Sequence, residues 1–229
     1  MTSARVVGAA LVSWMLSAAM AAAQTAPVFV EVDGAPQRAF VHQGVPLVLR
    51  VGVDRRWLAE QAVPVLARAL DRPFQVVADG LRDGETLRVT WPNAAPGLRI
   101  ATGERIALWQ SGGERVVEGR TFELLELRVS VTSLQPGERA LPPVRVRYAF
   151  GTRFQDDMLR GRQPVDRTEG LASGPEVRWQ VDALPEPAPV GFTGAVGSFE
   201  VSAVPAVAAV EVGVSLTVSL HVRGDGDRD

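Results

Sequence analysis

The sequence predicts an all-β fold built from sandwich units in tandem, and three observations predict it. Runs of β-branched and large apolar residues recur along the chain and stop at Gly, Pro or Asp. The longest, FELLELRVSVT over residues 122–132, sets Leu125, Leu127, Val129 and Val131 against Glu126, Arg128 and Ser130. That period of two marks a strand with one buried and one wetted face. Finally, a Pro-rich connector, LPEPAP over 184–189, is followed by PVGFTGAVGSFEVSA, in which alternation begins again.

In chain order, the first element is a targeting segment. Arg5 supplies a positive start, residues 6–20 are apolar and uncharged, and Ala21-Ala22-Ala23 precede Gln24. This is the three-part layout of a signal peptide over residues 1–23, with Ala22 and Ala26 as further cleavage positions. The apolar run falls short of the roughly 20 residues that span a bilayer as a helix. Export, to the periplasm or a similar compartment, is therefore expected. With no Cys, such a chain forgoes disulfides and must rely on an apolar core. All 24 basic residues are Arg, which we read as codon bias, and no basic stripe suggests nucleic acid.

Strand signals then follow at 29–32 (FVEV) and 47–53 (LVLRVGV). Residues 57–70 alone look helical, interrupted by Pro64, so a short helix is expected near 58–70. Further strands are expected at 74–77, at 86–91 after the Asp83-Gly84 turn, at 122–132 and at 144–150. Between the last two, Gln135-Pro136-Gly137-Glu138 suits a type II turn. The pattern fades into a polar stretch over 151–175 and returns at 177–181 (VRWQV). The expected organisation is one Ig-like β-sandwich over 27–183, a linker over 184–190 and the start of a second Ig-like domain over 191–229.

A weak internal repeat supports two related units. Phe29 leads after fifteen residues to Gly44 and the alternating run behind it; Phe199 leads after fourteen to Gly213 and its run. An Ig-like sandwich needs about seven strands over about 100 residues. The 40 residues after Pro189 supply two or three strands. The second domain is therefore expected to be incomplete here, or to borrow strands from a partner.

Five residues stand out as a structural motif: Gly191, Phe192, Gly194, Gly197 and Gly213. Their spacing differs from G-x-G-x-x-G, no Lys follows, and a strand stands where a phosphate site needs a helix N-terminus. Gly191, Gly194 and Gly197 are expected to permit positive φ and close backbone approach, with Phe192 and Val196 as anchors. Asp225-Gly226-Asp227-Arg228-Asp229 imitates only the start of a calcium loop, and Arg223-Gly224-Asp225 is read as a chance adhesion tripeptide. His42 and His221 are the only histidines and lack ligand-spaced neighbours. No G-x-S-x-G elbow supports a hydrolase. Trp57, Trp91, Trp109 and Trp179 fit core packing better than a sugar-stacking platform. No catalytic, cofactor or metal residues are expected.

Over these residues the chain resembles the BatD oxygen-tolerance (aerotolerance) family of bacterial exported proteins. The likeness is densest in GFTGAVGSFEVSA and VEVGVSLTVSLHVRGDG, between residues 191 and 226. Residues 41–49 (VHQGVPLVL) and 141–146 (LPPVRV) resemble its first-domain elements. Val45 and Val214 replace the acidic residue usual after the Gly step, and Gly226-Asp227 replaces Gly-Asn. The resemblance implies Ig-like domains, an inner-membrane tether in the full-length protein, and association with von Willebrand A-type membrane proteins and a MoxR-type ATPase system. It implies no catalytic residues. The function expected is a non-enzymatic one, protein–protein contact in the envelope linked to oxygen or stress tolerance. The alternative is a secreted carbohydrate-binding module using surface tryptophans.

Overall fold

A computed structural model describes residues 26–68, 70–92, 96–159, 161–192 and 194–224. The expected signal peptide and the Asp225–Asp229 stretch lie outside them. Strands account for 55% of the described residues and helix for 3%, so the protein is all-β and sandwich-like. The elements are β1 (Val28–Asp33), β2 (Arg38–Phe40), β3 (Gly44–Asp54), then α1 (Arg55–Glu60), the single helix among the described residues, and β4 (Ala62–Val63). Next come β5 (Gln75–Val77), β6 (Leu87–Thr90), β7 (Leu98–Thr102), β8 (Arg105–Val117), β9 (Arg120–Ser133) and β10 (Gly137–Leu141). The rest are β11 (Arg145–Phe150), β12 (Phe154–Asp157), β13 (Gly161–Pro164), β14 (Thr168–Ser173), β15 (Val177–Asp182), β16 (Phe199–Pro205) and β17 (Val218–Gly224).

One large sheet runs β1-β3-β9-β8-β7-β5-β11-β14, with β6 also on β9 and β4 on β11. A three-stranded sheet, β10-β15-β2, contributes to the same core, which unites Leu47, Leu49, Trp109 and Leu127 with Leu141, Trp179 and Val181. The alternation read in 122–132 holds, because Leu125, Leu127, Val129 and Val131 are all buried. On the outer face Glu31, Arg50 and Glu126 stand in register across β1, β3 and β9. There Arg50 reaches Asp33 at 2.7 Å and Glu126 at 2.8 Å, and Arg115 reaches Glu31 at 2.6 Å.

The large sheet curls until its two ends meet. A Cβ added to Gly174, just beyond β14, would stand 3.1 Å from Val30 Cγ1 of β1. Yet no backbone hydrogen bond joins β1 to β14 among the described residues, so the barrel-like wall keeps an open seam.

Each of the seven expected strands has its counterpart, but two expectations change. The helix expected near 58–70 is confined to Arg55–Glu60. Pro64 biases Val63 towards extended backbone, and Ala62 and Val63 instead pair with Phe150 and Ala149. The polar stretch 151–175 contains β12, β13 and β14. β12 and β13 form a largely solvent-exposed hairpin in which Arg162 stacks on Phe154 at 3.7 Å. β8 was not among the expected strands, and Ser111-Gly112-Gly113 forms a register irregularity within its 13 residues.

The internal repeat holds at the level of hairpins and fails residue for residue. β1 with β3, and β16 with β17, are both antiparallel pairs that set a Phe opposite a Gly, Phe29↔Gly52 and Phe199↔Gly224. Phe29, however, shares the outer face with Glu31, whereas Val28 and Val30 point to the core. Phe199 shares its face with Val201, which is the apolar one. The two copies thus present opposite faces when aligned on Phe.

Candidate contact surfaces

After Val181 only Val196 is buried among the described residues, and from Gly197 to Gly224 every one of them is exposed. The β16–β17 hairpin nevertheless has a one-sided pattern. One face pairs Val201 with Val222, Ala203 with Leu220 and Pro205 with Val218, next to Phe199. The other pairs Glu200 with Arg223, Ser202 with His221 and Val204 with Ser219, so it is mainly polar. Leu220 is 69% exposed and Val201 63%, so the apolar face has no cover within the described chain. A lone two-stranded hairpin is at best marginally stable in water. Uncovered apolar surface of this kind marks contact sites.

The glycine motif leads into this hairpin. Gly191, Gly194 and Gly213 have φ of +83°, +98° and +94°, a region that side chains with a Cβ rarely adopt. The positive φ expected of Gly191 and Gly194 is therefore present. The close approach is not, since a Cβ at any of the three would meet nothing within 4 Å. Gly197 has φ +155°. Of the two expected anchors Val196 is buried, while Phe192 is 42% exposed.

A second feature was not legible in the sequence. A cleft of about 740 Å³ opens where β1 begins, beside α1 and the end of β11. Its edge is held by Asp54, the helix N-cap, whose carboxylate accepts from the backbone N–H of Arg56 at 2.8 Å and Trp57 at 3.1 Å. Arg120 donates to the same carboxylate through Nε at 2.5 Å. Burial by itself would raise the Asp54 carboxyl, but the Trp57 N–H and the Arg120 guanidinium outweigh it and hold the group below its ordinary value. Beside it Arg56 pairs with Glu60 at 3.1 Å.

The cleft's apolar wall is aromatic. Trp57 meets Tyr148 edge-on at 5.4 Å between centroids, and Phe150 lies 6.4 Å from Trp57. Tyr148 stands opposite Gly170 in the β11–β14 pair, and a Cβ there would lie 2.4 Å from its ring. Burial raises the phenol's pKa. Neither the Tyr148 hydroxyl nor the Gln61 side-chain amide has a hydrogen-bond partner among the described residues, and both residues line the cleft. The Asp-x-x-Trp opening of α1 was the available sequence signal, as an N-cap before a helical start.

The other candidate residues are dispersed. Trp57, Trp109 and Trp179 are buried, as core packing requires, and Arg105 covers the Trp91 ring at 4.3 Å. These four therefore present no open set of ring faces for sugar stacking. His42 is an exposed turn residue with φ +65° in the body, and His221 sits on the polar face of the hairpin. Among the described residues no three His, Asp or Glu side chains form a metal-holding group, and no helix is long and apolar enough to cross a membrane. Comparison with protein-family models, with curated proteins and with solved structures finds no match to this chain.

Proposed function

We propose that this chain is a non-enzymatic exported β-sandwich protein that works by protein–protein contact in the bacterial envelope. The observation that carries the reading is the apolar face of the β16–β17 hairpin, made of seven apolar side chains and uncovered in the described chain. A partner that covers this face gains about 25 cal/mol for each Å² of apolar surface removed from water. The polar opposite face keeps the hairpin soluble in between. The resemblance to the BatD family supplies the partner class: von Willebrand A-type membrane proteins and a MoxR-type ATPase system, with a role in oxygen or stress tolerance.

The test is crosslinking and affinity capture of the tagged protein from envelope fractions, using wild type and Leu220→Asp in parallel. Capture of A-domain membrane proteins by wild type, and their loss with Leu220→Asp, supports the reading. Because Leu220 is exposed, the variant should keep the wild-type unfolding midpoint. Capture that is identical for both, or absent under several crosslinkers, overturns it.

A further inference from the structure

We propose that β17 is an open sheet edge that joins β17 of a second copy of this chain, so that the two hairpins form one continuous sheet about a two-fold axis. The backbone phase of the hairpin supports this. Ala206 N–H donates to Thr217 C=O at 2.9 Å, which makes 206/217 a hydrogen-bonded antiparallel pair. In the unbroken register that precedes it, 204/219 and 202/221 are bonded pairs as well. The alternate pairs, Pro205 with Val218 and Ala203 with Leu220, therefore turn their main-chain groups away from the neighbouring strand. Neither strand pairs with a third among the described residues, and every residue of both is exposed.

The two edges of the hairpin differ. On β16, Pro205 stands at an outward position and has no N–H to donate, which blunts that edge. On β17, Val218 and Leu220 each turn an N–H and a C=O outwards, and none of these groups has a partner among the described residues. The body closes its own short edge strand from within. At β2, Phe40 N–H donates to Gln43 Oε1 at 2.9 Å, and Phe40 C=O accepts from Gln43 N–H at 3.1 Å. Three features favour a second copy as the guest on β17. Residues 217–222 read TVSLHV and carry no Asp, Glu or Arg, so β17 meets its twin antiparallel with no like charges opposed. Val218 and Leu220 lie on the apolar face, so joining the edges continues that face across the axis, with seven apolar side chains from each copy. A lone hairpin is at best marginally stable, whereas three or more strands with an apolar face can hold together in water. Because Pro205 blunts the far edge of each hairpin, the sheet closes at two copies instead of growing into a fibre.

This inference rests on the contact reading above in that the joined face is the one a partner covers, and it is tested through the edge alone. Leu220→Pro removes an outward N–H of β17, and Ala203→Pro removes its counterpart across the same pair on β16. Neither N–H belongs to the hairpin's own ladder, and the face stays apolar in both variants. Sedimentation of the purified protein, from micromolar to near-millimolar concentration, should show a reversible monomer–dimer equilibrium for wild type and Ala203→Pro. Leu220→Pro should weaken it about tenfold or more, because each dimer loses a donor from both copies. In the wild type, amide exchange at Val218 and Leu220 should slow as concentration rises, while Val201 and Ala203 on the outer edge of β16 stay fast. That readout does not depend on any variant folding. A monomer throughout, a dimer indifferent to Leu220→Pro, or species growing beyond the dimer would overturn the proposal. So would equal slowing at both edges. A monomeric wild type that still captures A-domain proteins would refute the edge and spare the contact reading; a dimer that captures none would do the reverse.

Discussion

Replacing Asp54 with Ala removes two kinds of interaction that meet on one carboxylate. The first is the helix cap. Two N–H groups of α1 lose their acceptor, which costs about 1 kcal/mol in comparable caps. The second is the hydrogen-bonded contact to Arg120. Hydrogen bonds to charged groups contribute about 1.5–3 kcal/mol, but the Arg120 side chain is 32% exposed and recovers part of this from water, leaving about 1–2 kcal/mol. The expected loss is about 2–3 kcal/mol. For a chain of this length, that lowers the thermal midpoint by about 4–12 °C. Asp54→Asn keeps a capping oxygen and loses the charge, so it should cost about half as much. The assay is urea unfolding at neutral pH, with the slope compared between variants so that the midpoint reports stability. Asp54→Ala within 0.5 kcal/mol of wild type would refute the reasoning. Asp54→Asn as damaging as Ala would show that the charge, and not the cap, dominates. The sign with pH follows from the lowered carboxyl. The stabilisation is complete above the ordinary carboxylate range and fades as pH falls through the folded value, and this fading should be missing from Asp54→Ala.

Three further outcomes are expected. Thr102→Val leaves the buried Trp109 indole N–H without its 3.0 Å acceptor, costing about 1–3 kcal/mol in urea unfolding; a loss below 0.5 kcal/mol would mean that the core readjusts around it. Gly170→Ala drives a methyl into the Tyr148 ring, so it should destabilise by about 1–3 kcal/mol and alter the near-ultraviolet dichroism of the aromatic cluster. An unchanged spectrum would argue against that packing. The Asp166 carboxyl is held at about 2, first by the Thr152 hydroxyl and then by the backbone N–H groups of Arg153 and Thr152. Its contribution is complete above the ordinary Asp range near 4 and is lost as pH falls towards 2. A titration of its carboxyl carbon by NMR with a midpoint near 4 would refute the arrangement.

What the sequence by itself determined is local. Alternation in 122–132 and 47–53 identified strands and their buried faces, because side chains leave a strand alternately to either side whatever the neighbours are. Glycines 191 and 194 were readable as positive-φ positions for a similarly local reason. Tertiary structure decided everything that depends on a distant partner. The helix after Asp54 ends at Glu60 because β11, ninety residues further on, recruits Ala62 and Val63 into a sheet. β8 continues through its Gly pair, with Gly113 at φ +87°, because β9 pairs with it on both sides of the irregularity. The cleft gathers Pro27, Gln61 and Tyr148 from three separate segments, and no spacing announces that. Phe29 and Phe199 begin similar strand patterns, yet Phe29 lies on an outer face and Phe199 on an uncovered apolar one. A repeating pattern specifies that a strand has two faces; only the layers packed around it decide which of them meets water.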